Sequence, residues 1–238
     1  MVTKNEIKFI KSLRDKSFRN KFNLFIVEGE KSINEFLNSN YKVYKIYSTH
    51  PANISYNDVI QISEKQLIQI SSLKTPNKHI AIFNKTKFPV KNQKNYFVLD
   101  SVNDPGNLGT MIRTSKSFGI NNILLSDEIT DVYNPNVIRA SIGHLFNSNI
   151  SSGSNDEIIS LLEANDYQVL LLDPEGDESL EGFIPNQNFA LVVGAEQYGI
   201  SDNWFNSNYT SLFIRSTNNV DSINASTAAA IAMWELTK

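Results

Sequence analysis

Four short apolar runs limit what this chain can fold into. They are Tyr96-Phe97-Val98-Leu99, Ile123-Leu124-Leu125, Tyr167-Gln168-Val169-Leu170-Leu171-Leu172 and Phe189-Ala190-Leu191-Val192-Val193. Each has strand length and lacks the alternation of a half-exposed strand. Such strands belong to a mostly parallel sheet covered by helices on both faces. Leu212-Phe213-Ile214 adds a last short strand. Between the runs, a helix is expected from about Thr110 to Phe118. Another starts at Asn134-Pro135, with proline at the first helical position. An alanine-rich helix runs from Ala225 to Leu236. Residues 96–238 therefore read as an α/β domain.

Residues 1–84 read as a smaller α/β module. The first twenty residues pattern as one amphipathic helix. Ile7, Ile10, Leu13 and Phe9 lie on one side and Lys8, Lys11, Arg14 and Lys16 around it. Strands are expected at Leu24–Val27, Val43–Tyr47, Val59-Ile60 and Ile80–Phe83, and helices at Lys31–Leu37 and Glu64–Ile70. Residues 85–95 are polar and basic, contain Pro89 and have no periodicity, which marks a linker.

The net charge of −3 conceals a division. Residues 1–94 hold 17 Lys/Arg and 7 Asp/Glu (+10), and residues 95–238 hold 5 and 18 (−13). A positive module can neutralise phosphates and steer RNA inward. Arg14, Arg19 and Lys21 are the positions expected to do so. Tyr41, Tyr44 and Tyr47 interleave with Lys42 and Lys45. That pattern reads either as a stacking surface for single-stranded RNA or as a half-buried edge strand.

Cysteine is absent, which excludes a disulfide framework, a thiolate zinc site and a thiol nucleophile. This fits a cytoplasmic protein. The N-terminus has no signal-peptide layout, and no run nears the ~20 apolar residues that span a bilayer. His50, His79 and His144 lack metal-ligand spacing, so no metal is expected. The acidic stretch Asp173, Glu175, Asp177 and Glu178 reads as a solvated loop.

Three segments carry the chemistry, each after a strand end, where open α/β sheets bind ligands. The first is Asp104-Pro105-Gly106-Asn107-Leu108-Gly109-Thr110 with Arg113 one turn into the following helix, aimed at the same opening. By itself it reads equally as a tight turn with a surface arginine. The second is Gly194-Ala195-Glu196-Gln197-Tyr198-Gly199-Ile200-Ser201, where Ser201 caps an expected helix and Trp204 packs behind. It lacks the G-x-G-x-x-G spacing of a dinucleotide-binding dehydrogenase. The third is Val220-Asp221-Ser222-Ile223-Asn224, leading into the final helix, which Ser222 or Asn224 can cap.

Taken in order, these segments resemble the SpoU (TrmH-like) family of RNA 2′-O-ribose methyltransferases, of the SPOUT superfamily. The matching pieces are Asn107-Leu108-Gly109 with Arg113, then Tyr133-Asn134-Pro135 through Arg139-Ala140-Ser141-Ile142-Gly143 and Leu145-Phe146. Gly194-x-Glu196-x-x-Gly199-Ile200-Ser201 and Ser222-Ile223-Asn224 follow. Phe25-Ile26-Val27-Glu28-Gly29-Glu30-Lys31 is similar to the opening of the substrate-binding domain many members carry.

The resemblance implies a C-terminal trefoil knot, S-adenosyl-L-methionine as cofactor, and a homodimer with its active site at the interface. It implies Arg113 beside the target ribose. Asn107, Glu196, Ser222 and Asn224 would hold the catalytic loops, the substrate or the arginine. Gly194, Gly199, Ile200, Ile214, Ile223 and Asn224 would hold the cofactor, and Arg139 and Ser141 would lie near RNA or the dimer interface. The implied substrate is rRNA, with tRNA as a variant. The family's Ile-Pro-Met and following glycine are replaced here by Ile214-Arg215-Ser216-Thr217-Asn218, and Ala195 stands where asparagine is common. That departure favours the alternative, a non-catalytic RNA-binding protein retaining the fold. The retained polar residues favour the enzyme.

Overall fold

The computed structural model describes residues 2–86, 94–142, 144–206, 208–216 and 223–238, without the side chains of Phe146 and Asn147. The helices are α1 Lys4–Ser12, α2 Lys16–Phe22, α3 Glu30–Leu37, α4 Glu64–Ile70, α5 Pro105–Ser117, α6 Pro135–Ser141, α7 Asn155–Glu163 and α8 Ala225–Thr237. The strands are β1 Leu24–Glu28, β2 Val43–Ser48, β3 Val59–Gln61, β4 His79–Asn84, β5 Tyr96–Leu99, β6 Asn122–Ser126, β7 Asn149–Gly153, β8 Gln168–Leu172, β9 Glu178–Ser179, β10 Phe189–Val193 and β11 Thr210–Phe213. They form two compact units. One is Met1–Thr86 with Asp131–Asn147, and the other is Lys87–Thr130 with Ser148–Lys238.

In the first unit, the single helix expected over the first twenty residues is two helices. Asp15, in extended backbone, offers its carboxylate to Ser17 N–H at 2.8 Å and so starts α2 afresh. The sheet order is β1-β4-β2-β3, antiparallel except for the β2/β3 pair. One face buries Ile10, Leu13, Leu24, Ile26, Tyr47, Ile80 and Ile82. On the other, Phe25, Phe36, Tyr41 and Phe83 pack as a cluster of rings.

Residues 131–147, read from the sequence as part of the second module, pack in this unit. Tyr133 lies 4.7 Å from Phe25 between ring centroids and donates its hydroxyl to Thr86 O at 2.8 Å. Asp131 pairs with Arg19 at 2.7 Å. Of the expected linker, residues 87–93 lie outside the described residues.

In the second unit, seven strands run parallel in the order β7-β6-β5-β10-β8-β11-β9. The chain moves outward from β5 through β6 to β7. It then crosses to β8, and β10 later fills the gap between β5 and β8. That reversal opens a crevice at the strands' carboxyl ends. α5 and α8 pack together, and α8 also covers β8 and β10. Val98, Leu124, Ile158, Leu162, Leu171, Val192 and Trp204 fill the opposite face. β7, α7 and β9 escaped the sequence reading. β7 is polar at the sheet edge. α7 begins with a capping box between Ser154 and Glu157, a signal the sequence did contain. β9 falls inside the supposed acidic loop.

β11 sits between β8 and β9, although it follows both in sequence. The 173–177 connection must therefore pass the end of β11. Gly176 permits the crossing, since a Cβ there would lie 2.9 Å from the Ser211 and Leu212 backbone.

Candidate active site

Asp104, not Thr110, begins the helix after β5. Its carboxylate accepts Asn107 N–H at 2.7 Å, and Pro105 takes the first helical position. Asn107, Leu108 and Gly109, expected in a loop, therefore belong to the first turns of α5. The expected helix after Ser201 is instead one 3-10 turn, Asp202–Trp204, with Trp204 fully buried.

Three backbone segments converge at the carboxyl ends of β8, β10 and β11. With the start of α8 they enclose a cavity of about 620 Å³. Leu172, Asp173 and Pro174 come from the end of β8 and the connection after it. Gly194, Ala195, Glu196 and Gly199 follow β10. Ile214, Arg215 and Ser216 follow β11, and Ile223, Asn224 and Ala225 lead into α8. Ala195 and Gly199 exchange two backbone hydrogen bonds at 2.9 Å, closing the loop on itself. A Cβ on Gly194 would lie 2.1 Å from Gly199 carbonyl atoms, so only glycine fits the crossing.

A polar chain ties two walls of this cavity to α5. Asn107 Nδ2 donates to Glu196 Oε1 at 2.7 Å, and Asn224 Nδ2 donates to Asn107 Oδ1 at 3.2 Å. Asn224 Oδ1 meanwhile accepts Ser226 N–H and Thr227 N–H, capping α8. Asn107 bridges the two because its amide offers a donor and an acceptor at once. Beneath the loop, Asp100 is fully buried and accepts from Ser201 and Asn155.

The expected residues divide accordingly. Asn107, Glu196 and Asn224 come together, and Gly194, Gly199, Ile214, Ile223 and Asn224 line the cavity. Ile200 does not. It packs into the core with Trp204. Arg113 is exposed, and its guanidinium has no hydrogen-bond or ion-pair partner among the described residues. It does not line this cavity, since six residues along a helix turn it about 120° away from Asn107. Ser222, with Thr217 and Asn218 of the departing segment and Gly143 of the matched one, lies outside the described residues.

Two expected RNA contacts, Arg19 and Ser141, are also corrected. Arg19 is 2% exposed, and its guanidinium is spent on Asp131 and the carbonyls of Leu13 and Arg14. Ser141 is buried, with its hydroxyl donated to Ile138 O. The Arg14 guanidinium donates to Ile70 O and Ser71 O, while Lys21 is exposed over the Phe22 ring. Arg139 is exposed on α6 and donates to Asn136. Tyr41, just before β2, and Tyr47, within it, are buried, and β2 lies inside the sheet, so neither the stacking surface nor the half-buried edge strand describes these two residues.

Asp173 was missed. It sits in an acidic stretch that resembles a solvated loop, although its position straight after an apolar parallel strand is the signal that places it at the cavity. Among the described residues no cluster of His, Asp and Glu could hold a metal, and no helix is long and apolar enough to cross a membrane.

The cavity's volume lies in the range of small-molecule sites. Its lining suits a nucleoside joined to a charged amino-acid tail. Apolar residues such as Leu172, Val193, Ile214 and Ile223 share the wall with Asp173, Glu196 and Arg215, which supply both signs of charge.

Residues 94–234 match the model of the SpoU rRNA Methylase family, and residues 4–81 match that of the MRM3-like substrate binding domain. A 23S rRNA (guanosine(2553)-2′-O)-methyltransferase, RlmP of Bacillus subtilis (strain 168), is 26% identical over 97% of this chain and 95% of its own length. A solved candidate RNA methyltransferase of the TrmH family from Porphyromonas gingivalis is 29% identical, with a TM-score of 0.88 over 99% of this chain and 98% of that one. An AdoMet-bound rRNA methyltransferase from Sinorhizobium meliloti is 25% identical, with a TM-score of 0.90 over 99% and 95%.

Proposed function

The chain belongs to the SpoU rRNA methylase family, and on that premise we propose that it transfers a methyl group from S-adenosyl-L-methionine to a ribose 2′-hydroxyl of rRNA. The observation that carries this is the cavity of about 620 Å³ at the strand ends, bordered by the Glu196–Asn107–Asn224 chain. A relative that acts on 23S rRNA and spans nearly the whole chain supports the substrate class, with tRNA as the variant to exclude.

Bound S-adenosylmethionine would supply an electrophilic sulfonium methyl, so the reaction needs no metal. The protein's task is to align the hydroxyl with that methyl and keep water out. Gly194, Gly199, Ile214 and Ile223 would hold the cofactor largely through backbone and apolar contacts. Asn107 keeps the Glu196 carboxylate and the Asn224 cap in one rigid relation. Arg113 would stabilise negative charge developing on the hydroxyl oxygen. A guanidinium carries five N–H donors and no acceptor, so it acts as a donor rather than a base, and its lack of a side-chain partner among the described residues leaves it available. Ser222 is retained as part of the proposed site.

Residues 1–84 together with 131–147 would present the RNA, 85–95 would connect, and the rest of 96–238 would carry the transfer. The placement of β11 between β8 and β9 supports a trefoil knot in the last segment. A homodimer completing the active site is supported by the exposed stripe of Thr227, Ile231 and Trp234 on α8, where Trp234 is 54% exposed. A cytoplasmic location agrees with a ribosomal substrate.

Incubation with methyl-labelled S-adenosylmethionine and separate rRNA and tRNA pools tests the proposal. Label should enter rRNA and resist alkali as a dinucleotide, since a methylated 2′-oxygen cannot attack the neighbouring phosphate. Label in a base, in tRNA alone or in neither pool would overturn it.

A further inference from the structure

Of the tyrosines the sequence pointed to, Tyr41 and Tyr47 are core, but Tyr44 and two phenylalanines stand exposed. Phe18, Phe22 and Tyr44 are 40%, 39% and 49% exposed. They form one row through the half-buried Phe9. Phe18 and Phe22 lie 6.2 Å apart and nearly parallel, Phe22 and Phe9 meet edge-on at 5.1 Å, and Phe9 lies 6.4 Å from Tyr44. A contiguous row of exposed aromatics on a folded unit marks a contact surface.

The charge around this row selects the partner. Residues 4–22 carry seven Lys/Arg and two Asp/Glu. Both acids are engaged: Glu6 with Lys45 and Tyr47, and Asp15 in capping α2. Lys8, Lys11, Lys16 and Lys21 are exposed, with no ion-pair partner among the described residues, and Lys21 lies 5.6 Å from the Phe22 ring centroid. A cationic surface wants a polyanion, and exposed ring faces want other π-faces. Single-stranded RNA supplies both, whereas a duplex hides its base faces in its own stack.

We propose that Phe18, Phe22, Phe9 and Tyr44 form a stacking platform for unpaired bases, with the lysines of α1 and α2 holding the RNA backbone. This rests on the RNA-substrate reading above and specifies that the first unit grips unpaired RNA. Phe18 and Tyr44 are the anchors, because each offers the most ring surface for the least loss of core packing.

Fluorescence anisotropy on the full chain tests this. The probes are a labelled oligouridylate of about 12 nucleotides and an RNA duplex of the same length. The Phe18→Leu/Tyr44→Leu pair keeps apolar bulk but removes the π-faces. It should weaken single-strand binding about tenfold or more, while duplex binding and calorimetric S-adenosylmethionine binding stay unchanged. Phe18→Trp/Tyr44→Trp should restore the loss. Equal weakening on both probes, or wild-type binding by the leucine pair, overturns the platform. So does an altered sedimentation coefficient with unaltered RNA affinity, which would assign the patch to self-association. Binding is read without methyl transfer, so an inactive enzyme would sink the proposed reaction and leave this result readable.

Discussion

The carboxylate of Asp100, fully buried at the end of β5, accepts both the N–H of Ser201 at 2.7 Å and its hydroxyl at 2.6 Å. Ser201 closes the loop that begins at Gly194, so one carboxylate anchors the cavity wall carrying Glu196. Asp100→Ala leaves a buried N–H without its acceptor, which costs about 1–3 kcal/mol. Ser201→Ala removes only the hydroxyl bond and should cost less. Urea denaturation should rank the two in that order, and calorimetry should show weaker S-adenosylmethionine binding for Asp100→Ala. Equal stability and affinity in both variants would separate this pair from the site.

Gly194→Ala forces a methyl group to within 2.1 Å of Gly199 backbone atoms. The crossing must open, and the cavity wall moves with it. Cofactor binding should fall below calorimetric detection. A variant that bound normally would mean the loop can shift without disturbing the cavity.

Arg113→Ala should lower kcat by roughly 100- to 1000-fold, the loss expected when a donor to developing oxyanion charge is removed. Cofactor affinity should be retained, because Arg113 does not line the cavity. Unchanged turnover would take Arg113 out of the reaction.

The Arg19–Asp131 pair makes an opposite prediction for a residue of the same type. Arg19→Ala leaves Asp131 charged, largely buried and unpaired, a loss of about 3–5 kcal/mol. A lower Tm should accompany unaltered RNA affinity of the folded fraction. A stable variant with weakened RNA binding would return Arg19 to the RNA surface.

Burial pushes the His79 imidazole below its ordinary pKa, outweighing the opposing pull of Glu30. The folded state thus binds its proton less readily than the unfolded state. His79 costs nothing above the unfolded value of about 6.5, and stability falls as pH drops below it. Between pH 7.5 and 5.5, His79→Gln should lose less Tm than the wild type. Equal losses would show that His79 protonates freely in the fold.

How much could be read beforehand varies by residue. α4 was legible to its ends, because apolar Leu67 and Ile70 follow the Ser63/Gln66 capping box. The start of α5 was missed because two glycines near its beginning suggested a loop, while Asp104 and Pro105 were already the cap and first turn. β7 was missed because an edge strand can be polar.

By itself, the sequence determined the parallel sheet, the charge division and the residues of the Asn107, Glu196 and Asn224 motifs, because periodicity and residue type are local. Only the tertiary structure decided which of those residues meet. Asn107 and Glu196 are 89 positions apart and touch only because β10 is laid beside β5. Likewise, Arg19 and Phe18 are neighbours in sequence, yet one is core and the other surface. Successive helical residues point about 100° apart, and only the packed fold says which direction is inside.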